Sequence, residues 1–503
     1  MDLGLKPCRH NAQKSKKGDN LSIRKGLEKI KVAALVFLVL IATVSLGWSA
    51  TYYVDSRNGN NSNNGLSMSS AWRTIAKVNS STFNPGDQIL FKRGGIWSEN
   101  LTFPSSGSAG NPITVGAYES GNAPIMNRLI IQNKSWLNFS SIQTTSVGLN
   151  MGLLVYASHD LNFTNTTHNG ANQPSNTAVV VGHYATLTWT YNIIFDGCIF
   201  KNAGKVGLAP NEGMCGLTIN AVTHDIIVKN SQGFGNTMNN FQTYDSQGAP
   251  WDASPYNIYF LNNISYDCLT ENGIEIGWGV HDSKAIGNYC YGNAVNGIIV
   301  SYRGGDAVKN NNVIAYNIVA PHRYGIVVAS NSTNTLVYNN TVLMATGWSN
   351  PAGIWFQPGT GPGNIAKNNI VYATGISGDH ALMVIQDNTD VTSDYNLYFN
   401  TVSATYSFAG GAGYTYYANF AAWKAATGQD AHSKWADPLF VNSSSDFHLK
   451  SGSPAKDAGV DVGLTSDYEG KPVPFGPTPD IGAYEYNSGF LKLQPPTAIR
   501  VVP

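Results

Sequence analysis

The chain has 503 residues, of which only 12% are charged while 52 are Gly and 22 are Pro. That balance excludes a coiled coil or a helical bundle, which would need far more Ala, Glu, Lys and Leu. With 42% hydrophobic and 11% aromatic residues and no net charge, the chain is neither a disordered polyelectrolyte nor a nucleic-acid binder, and it is long enough to bury a sizeable core.

Residues 1–50 carry nine Lys or Arg against Asp2, Asp19 and Glu28, followed by an uncharged apolar run from Val32 to Trp48. This pattern predicts a signal peptide with a long basic leader, or an uncleaved membrane anchor, and hence export through the secretory route to the periplasm, cell surface or medium. Without it, 22 basic and 28 acidic residues remain, a mildly acidic balance. Four cysteines remain as well, Cys198, Cys215, Cys268 and Cys290. An oxidising compartment would let them pair, their partners are not fixed by sequence, and their spacing matches no zinc motif.

Residues 51–128 predict an N-terminal cap and first strands, with Tyr52-Tyr53-Val54-Asp55, Ala71-Trp72-Arg73 and Asp87-Gln88-Ile89-Leu90-Phe91 as its apolar phrases. Over residues 129–400 a short apolar strand ending in Asn recurs, as in Asn257-Ile258-Tyr259-Phe260-Leu261-Asn262-Asn263 and Asn334-Thr335-Leu336-Val337-Tyr338-Asn339-Asn340. Its anchors are Ile142, Thr166, Cys198, Ser231, Asn263, Asn288, Asn317, Asn340, Asn369 and Asn396, at intervals of 23 to 33 residues. A second phrase opens with Gly, as in Gly273-Ile274-Glu275-Ile276, Gly297-Ile298-Ile299-Val300, Gly325-Ile326-Val327-Val328 and Gly353-Ile354-Trp355-Phe356. Such a period, made of short β-branched strands and Asn/Gly turns, predicts an all-β solenoid. Leucine-rich repeats and propeller blades do not fit it, which leaves a parallel β-helix of about ten coils. Residues 401–490 predict a C-terminal closing segment with a short helix at Phe420 to Gly428, and residues 491–503 a tail or the start of a linker.

These phrases resemble the secreted right-handed parallel β-helix family of pectate-lyase-like proteins, from the entry cap to the closing segment. The resemblance implies a right-handed solenoid with both ends capped and activity toward a polysaccharide, while the fold itself hosts lyases, hydrolases, epimerases and adhesins.

Alternate residues of a β-helix strand point outward, so equivalent positions on successive coils form columns suited to a polymer. The outward column of the Gly-led strand runs through Thr218, Gln242, Glu275, Ile299, Val327 and Trp355. Tyr244, Trp251, Trp278 and Trp355 are candidate stacking surfaces for sugar rings, with Asp252, Tyr302, His322 and Arg323 as further substrate contacts. β-Elimination on a uronic-acid polymer needs charge neutralisation, a base and a proton donor. Asp245, Glu271 and Glu275 are candidate calcium ligands, His281 or Lys284 the candidate base, and Arg303 the group for charge neutralisation or proton donation. No organic cofactor is expected, and the expected partner is an acidic polysaccharide bound by a monomer.

The run of Glu275, Lys284, Asn288 and Tyr302-Arg303 is similar to the chondroitinase B and alginate lyase pattern, and Gly279-Val280-His281-Asp282 resembles a segment of β-helix mannuronan epimerases. These similarities imply proton abstraction beside a uronate carboxylate, leading to elimination or to C5 epimerisation. A glycoside hydrolase using two of Asp245, Asp252, Glu271 and Glu275, and a non-catalytic carbohydrate binder, are the alternatives.

Overall fold

The computed structural model describes residues 49–487, apart from 149–150, 175, 183–187, 206–213, 245–252, 278, 302–308, 377–379, 387–389, 403–406 and 412. The signal or anchor predicted for residues 1–50 therefore lies, but for its last two residues, outside the described residues, as does the tail at 491–503.

Asn263 shows why the chain coils as it does. Its Nδ2 donates to the Val228 carbonyl at 2.8 Å, and the Asn288 Oδ1 accepts from its backbone N–H at 3.0 Å. Asn288, Asn317, Asn340, Asn369 and Asn396 repeat the arrangement turn after turn, each amide satisfying backbone at a corner where strand pairing is interrupted. In the earlier turns the same corner is held by smaller groups, with Ser231 Oγ accepting from Cys198 N–H and Cys198 Sγ lying 3.3 Å from Thr166 Oγ1. The residue before the corner takes a left-handed conformation, which Asn tolerates, as at Asn262, Asn339 and Asn368.

Each turn thus contributes three short strands, and equivalent strands pair in parallel to form three ladders. One turn runs through Tyr256–Leu261, Ile264–Tyr266 and Ile274–Gly277 before Lys284–Ile286 opens the next. The first ladder has thirteen strands. Its first three, Thr51–Val54, Gln88–Lys92 and Ile113–Tyr118, belong to the N-terminal segment, and the whole is a right-handed parallel β-helix of about ten turns. The fold is the one to which the sequence resemblance pointed.

Inward residues of the three ladders fill one continuous core. In the first ladder Phe139, Phe163 and Phe195 stack at centroid distances of 5.1 and 4.7 Å, and in the third ladder Ile274, Ile298, Ile326 and Ile354 form a column of fully buried side chains. The glycine that opens each third-ladder strand is there for space: a Cβ on Gly325 would lie 2.4 Å from Val342 Cγ1 and 2.5 Å from the Gly353 carbonyl oxygen.

The predicted closing helix forms at Phe420–Thr427, capped by the Asn419 side chain and ended by Gly428 at φ 68°. Trp423 is fully buried beneath the last turns and donates to Asp430 Oδ2 at 2.8 Å. Residues 436–486 then lay Phe440, Phe447, Leu449, Ile481 and Tyr484 over Ile318, Leu343, Ile370 and Leu397 of the second ladder. The four cysteines at 198, 215, 268 and 290 are buried free thiols.

Candidate functional site

The outward column of the third ladder is in the register the repeat predicts, with Thr218, Gln242, Glu275, Ile299, Val327 and Trp355 adjacent from strand to strand. Glu275 nevertheless has no exposure. Its Oε2 accepts from Asn239 Nδ2 at 2.6 Å and from Asn272 Nδ2 at 3.3 Å, and its Oε1 accepts from Ser301 Oγ. Asn239 Oδ1 accepts the Asn272 N–H, and Asn296 Nδ2 donates to Asn272 Oδ1 at 2.5 Å, so an amide ladder runs beside the carboxylate. Three donors on one carboxylate hold it in a single orientation inside the wall and take up three of its roughly four acceptor positions. Among the described residues no group of three or more His, Cys, Asp or Glu side chains gathers as a metal site. Glu271 lies on the turn before this strand, where its carbonyl accepts the Val295 N–H.

His281, six residues on from Glu275, bridges Tyr256 just before the first-ladder strand Lys284–Ile286. Its Nδ1 lies 2.7 Å from Asp282 Oδ2, which fixes the partly exposed ring. That hydrogen bond, together with one from Asn311, holds the Asp282 carboxyl below its usual range despite partial burial. Lys284 follows on the same strand with its ammonium 5.2 Å from the Tyr259 ring centroid.

Two turns beyond Glu275, the Arg323 guanidinium lies 4.9 Å from the Tyr324 ring centroid, and its Nε is buried without a hydrogen-bond partner. Tyr324 meets Trp355 at 5.1 Å, and the indole N–H donates to Gln386 Oε1 at 2.8 Å, so Trp355 is held as one plate of an aromatic shelf with Tyr414. His322 is placed differently. It is 1% exposed, its Nε2 accepts from Asn293 Nδ2 at 3.1 Å, its Nδ1 donates to the Ala320 carbonyl, and burial pushes its pKa down to about 4. The neutral imidazole pins a corner of the wall. Tyr244 is half-buried and pairs with Asn220 on the preceding turn. Asp245, Trp251, Asp252, Trp278, Tyr302 and Arg303 lie outside the described residues.

A second feature went unread in the sequence. His159, Tyr191, His224, Tyr256 and His281 occupy one column of the first ladder, with stacked rings at 4.8, 4.9, 4.8 and 5.4 Å. Each His is followed by Asp and bonds to it, and each Tyr is followed by Asn. Asn257 Nδ2 donates to Asp225 Oδ1 at 2.9 Å, and Asn192 donates likewise to Asp160. The alternation of His-Asp and Tyr-Asn at the repeat interval was the signal that would have revealed the column.

No family model matches the chain. A segment of 92 residues is 30% identical to a lacto-N-biosidase from Bifidobacterium longum, and the match spans 17% of this chain and only 6% of that protein. Among solved structures, a lacto-N-biosidase from Eubacterium ramulus is similar over 84% of this chain and 71% of its own, at 13% identity and a TM-score of 0.46. The pectate lyase Pel9A is similar over 88% of this chain and 98% of its own, at 16% identity and a TM-score of 0.46.

Proposed function

We propose that the chain is an exported enzyme acting on a uronic-acid-containing polysaccharide by β-elimination, with the reacting sugar at the corner between Glu275 and His281. The observation that carries this reading is Arg323: a half-buried guanidinium stacked on Tyr324 beside Trp355, with no carboxylate partner among the described residues. Rings and an unneutralised cation on one face fit the sugar faces and carboxylates of an acidic polymer. At about 4.8 Å per turn, Arg323 stands roughly 10 Å and Trp355 roughly 14 Å along the axis from Glu275, so a polymer lying along the third ladder would reach all three.

In the elimination, His281 Nε2 takes the proton beside the uronate carboxyl. The electron pair forms the new carbon–carbon double bond, the glycosidic C–O bond breaks, and the leaving oxygen is protonated. Asp282 supports the imidazolium so formed, as a carboxylate behind a general base does. Lys284 and Arg303 are the candidates for the proton donor and for neutralising the uronate, and Glu275 holds the wall behind the sugar through Asn239, Asn272 and Ser301. No step is routed through calcium. Export rests on the basic leader and apolar run before Trp48.

Absorbance of the unsaturated uronide tests the reading on a panel of uronate polymers. His281→Ala is expected to lower kcat about a hundredfold or more, and Arg323→Ala to raise KM about tenfold with kcat nearly unchanged. The 92-residue similarity to a lacto-N-biosidase supports a second reading, hydrolysis using two of Asp245, Asp252, Glu271 and Glu275. Reducing ends released without absorbance would select it, and neither signal on any polymer would leave a binding protein or an epimerase, separated by proton exchange at C5.

A further inference from the structure

The ring column of the first ladder ends at His159. The residue in register on the preceding turn is Ser135, whose side chain is too small to continue the stack. Where a sixth ring would lie there is an open cleft of about 390 Å³, lined by Asn133, Lys134, Ser135, His159, Trp189 and Tyr191. His159 is fixed on its far side by Tyr191, parallel within 6°, and at its edge by Asp160 at 2.6 Å, so its outer face is presented to the cleft in a fixed orientation. Trp189 is held as a wall by edge contacts with His224 at 5.2 Å and Tyr256 at 5.8 Å and by packing on Ala221, Val222 and Ala253. Lys134 is anchored through its backbone, its N–H donating to Ser158 Oγ and its carbonyl accepting the His159 N–H, while among the described residues its ammonium has no ion-pair partner.

We infer that this cleft is a second binding site, which takes one ring of an acidic sugar as the next member of the stack, its carboxylate on Lys134. Rigid ring faces that are already ordered lose little freedom when a ligand covers them, and an ammonium without a partner gains a charge-assisted hydrogen bond. Asp160 does not line the cleft, and its two oxygens are engaged by His159 and Asn192. The site belongs to the first ladder and to turns before Glu275, so it would hold polymer away from the reacting corner. The choice of an acidic sugar rests on the proposed function.

The probe is a defined uronate oligosaccharide titrated against the full chain, read as the fluorescence difference between wild type and Trp189→Phe. The expected result is a saturating Trp189 signal, at least tenfold weaker affinity in Lys134→Ala, and loss of the signal in Ser135→Phe, whose ring occupies the slot. Equal affinity in Lys134→Ala, or an equal response to a neutral oligosaccharide of the same length, overturns the inference, and Lys134→Ala is a surface change that leaves the fold intact. If uronate polymers are cleaved while Trp189 stays silent, the second site falls and the proposed function stands. If Trp189 responds while no uronate polymer is turned over, the second site stands and the proposed function falls.

Discussion

Asn317 makes five hydrogen bonds from one side chain and its own N–H. Its amide donates to the Ala285 carbonyl and to Asn340, accepts from the N–H and the side chain of Asn288, and its backbone N–H donates to Asn340. A hydrophobe of the same size fills the space, leaves the Asn288 N–H buried without its acceptor and takes one donor from the Ala285 carbonyl. Asn317→Leu is therefore expected to lower the unfolding free energy by about 3 kcal/mol, measured by urea titration, since each orphaned group costs about 1–3 kcal/mol. The anchors were legible in the sequence because a side chain that satisfies a corner must recur at every corner. Glu275 was legible only in part: its outward register follows from the repeat, whereas its enclosure depends on Asn239 and Ser301, which come from the turns on either side.

At the scale of an element, the closing helix shows how a short segment is stabilised by what it covers. Eight residues are too few to hold a helix alone in water, so Phe420–Thr427 depends on Asn419 at its start and on the burial of Trp423. Trp423 stacks on Phe408 at 5.5 Å and satisfies Asp430, which also accepts from Ser393, Ser433 and Tyr398. Trp423→Ala removes the largest side chain at that end and one donor to a buried carboxylate. It is expected to cost about 4 kcal/mol, and chemical denaturation followed by helix loss in circular dichroism would measure it. The short helix was readable from Ala-rich spacing between Asn and Gly, but its role as a plug over the last turns was not, because nothing local in it refers to Ser393 or Tyr398.

For the whole molecule, the closing segment couples solenoid stability to pH. Glu485 is buried, and desolvation reinforced by Asp480 and Asp467 pushes its pKa up to about 7, although it accepts from the N–H groups of Phe475 and Asp480. Burial raises Asp480 and Asp467 as well. A carboxyl whose pKa is higher in the folded state binds its proton more tightly there. Its contribution is complete below the unfolded value and is lost as pH rises through about 7. The midpoint of thermal unfolding should therefore fall by several degrees between pH 5 and pH 8, and Glu485→Gln should flatten that dependence. An unchanged slope in the variant would assign the pH dependence to other groups.

The sequence by itself determined that this chain is a parallel β-helix, where its turns fall, which residues hold the corners and which column of the third ladder points outward. Each turn carries the same local instruction, so ten imperfect copies reinforce one another. The tertiary structure decided which side chains meet: that Glu275 is enclosed, that His322 is part of the wall, that Arg323 stacks on Tyr324 beside Trp355, and that a stack of His and Tyr rings stops at His159. Those contacts join residues roughly one repeat apart across turns of unequal length. Their register is set by backbone pairing between neighbouring turns, a long-range quantity that no single stretch of the chain contains.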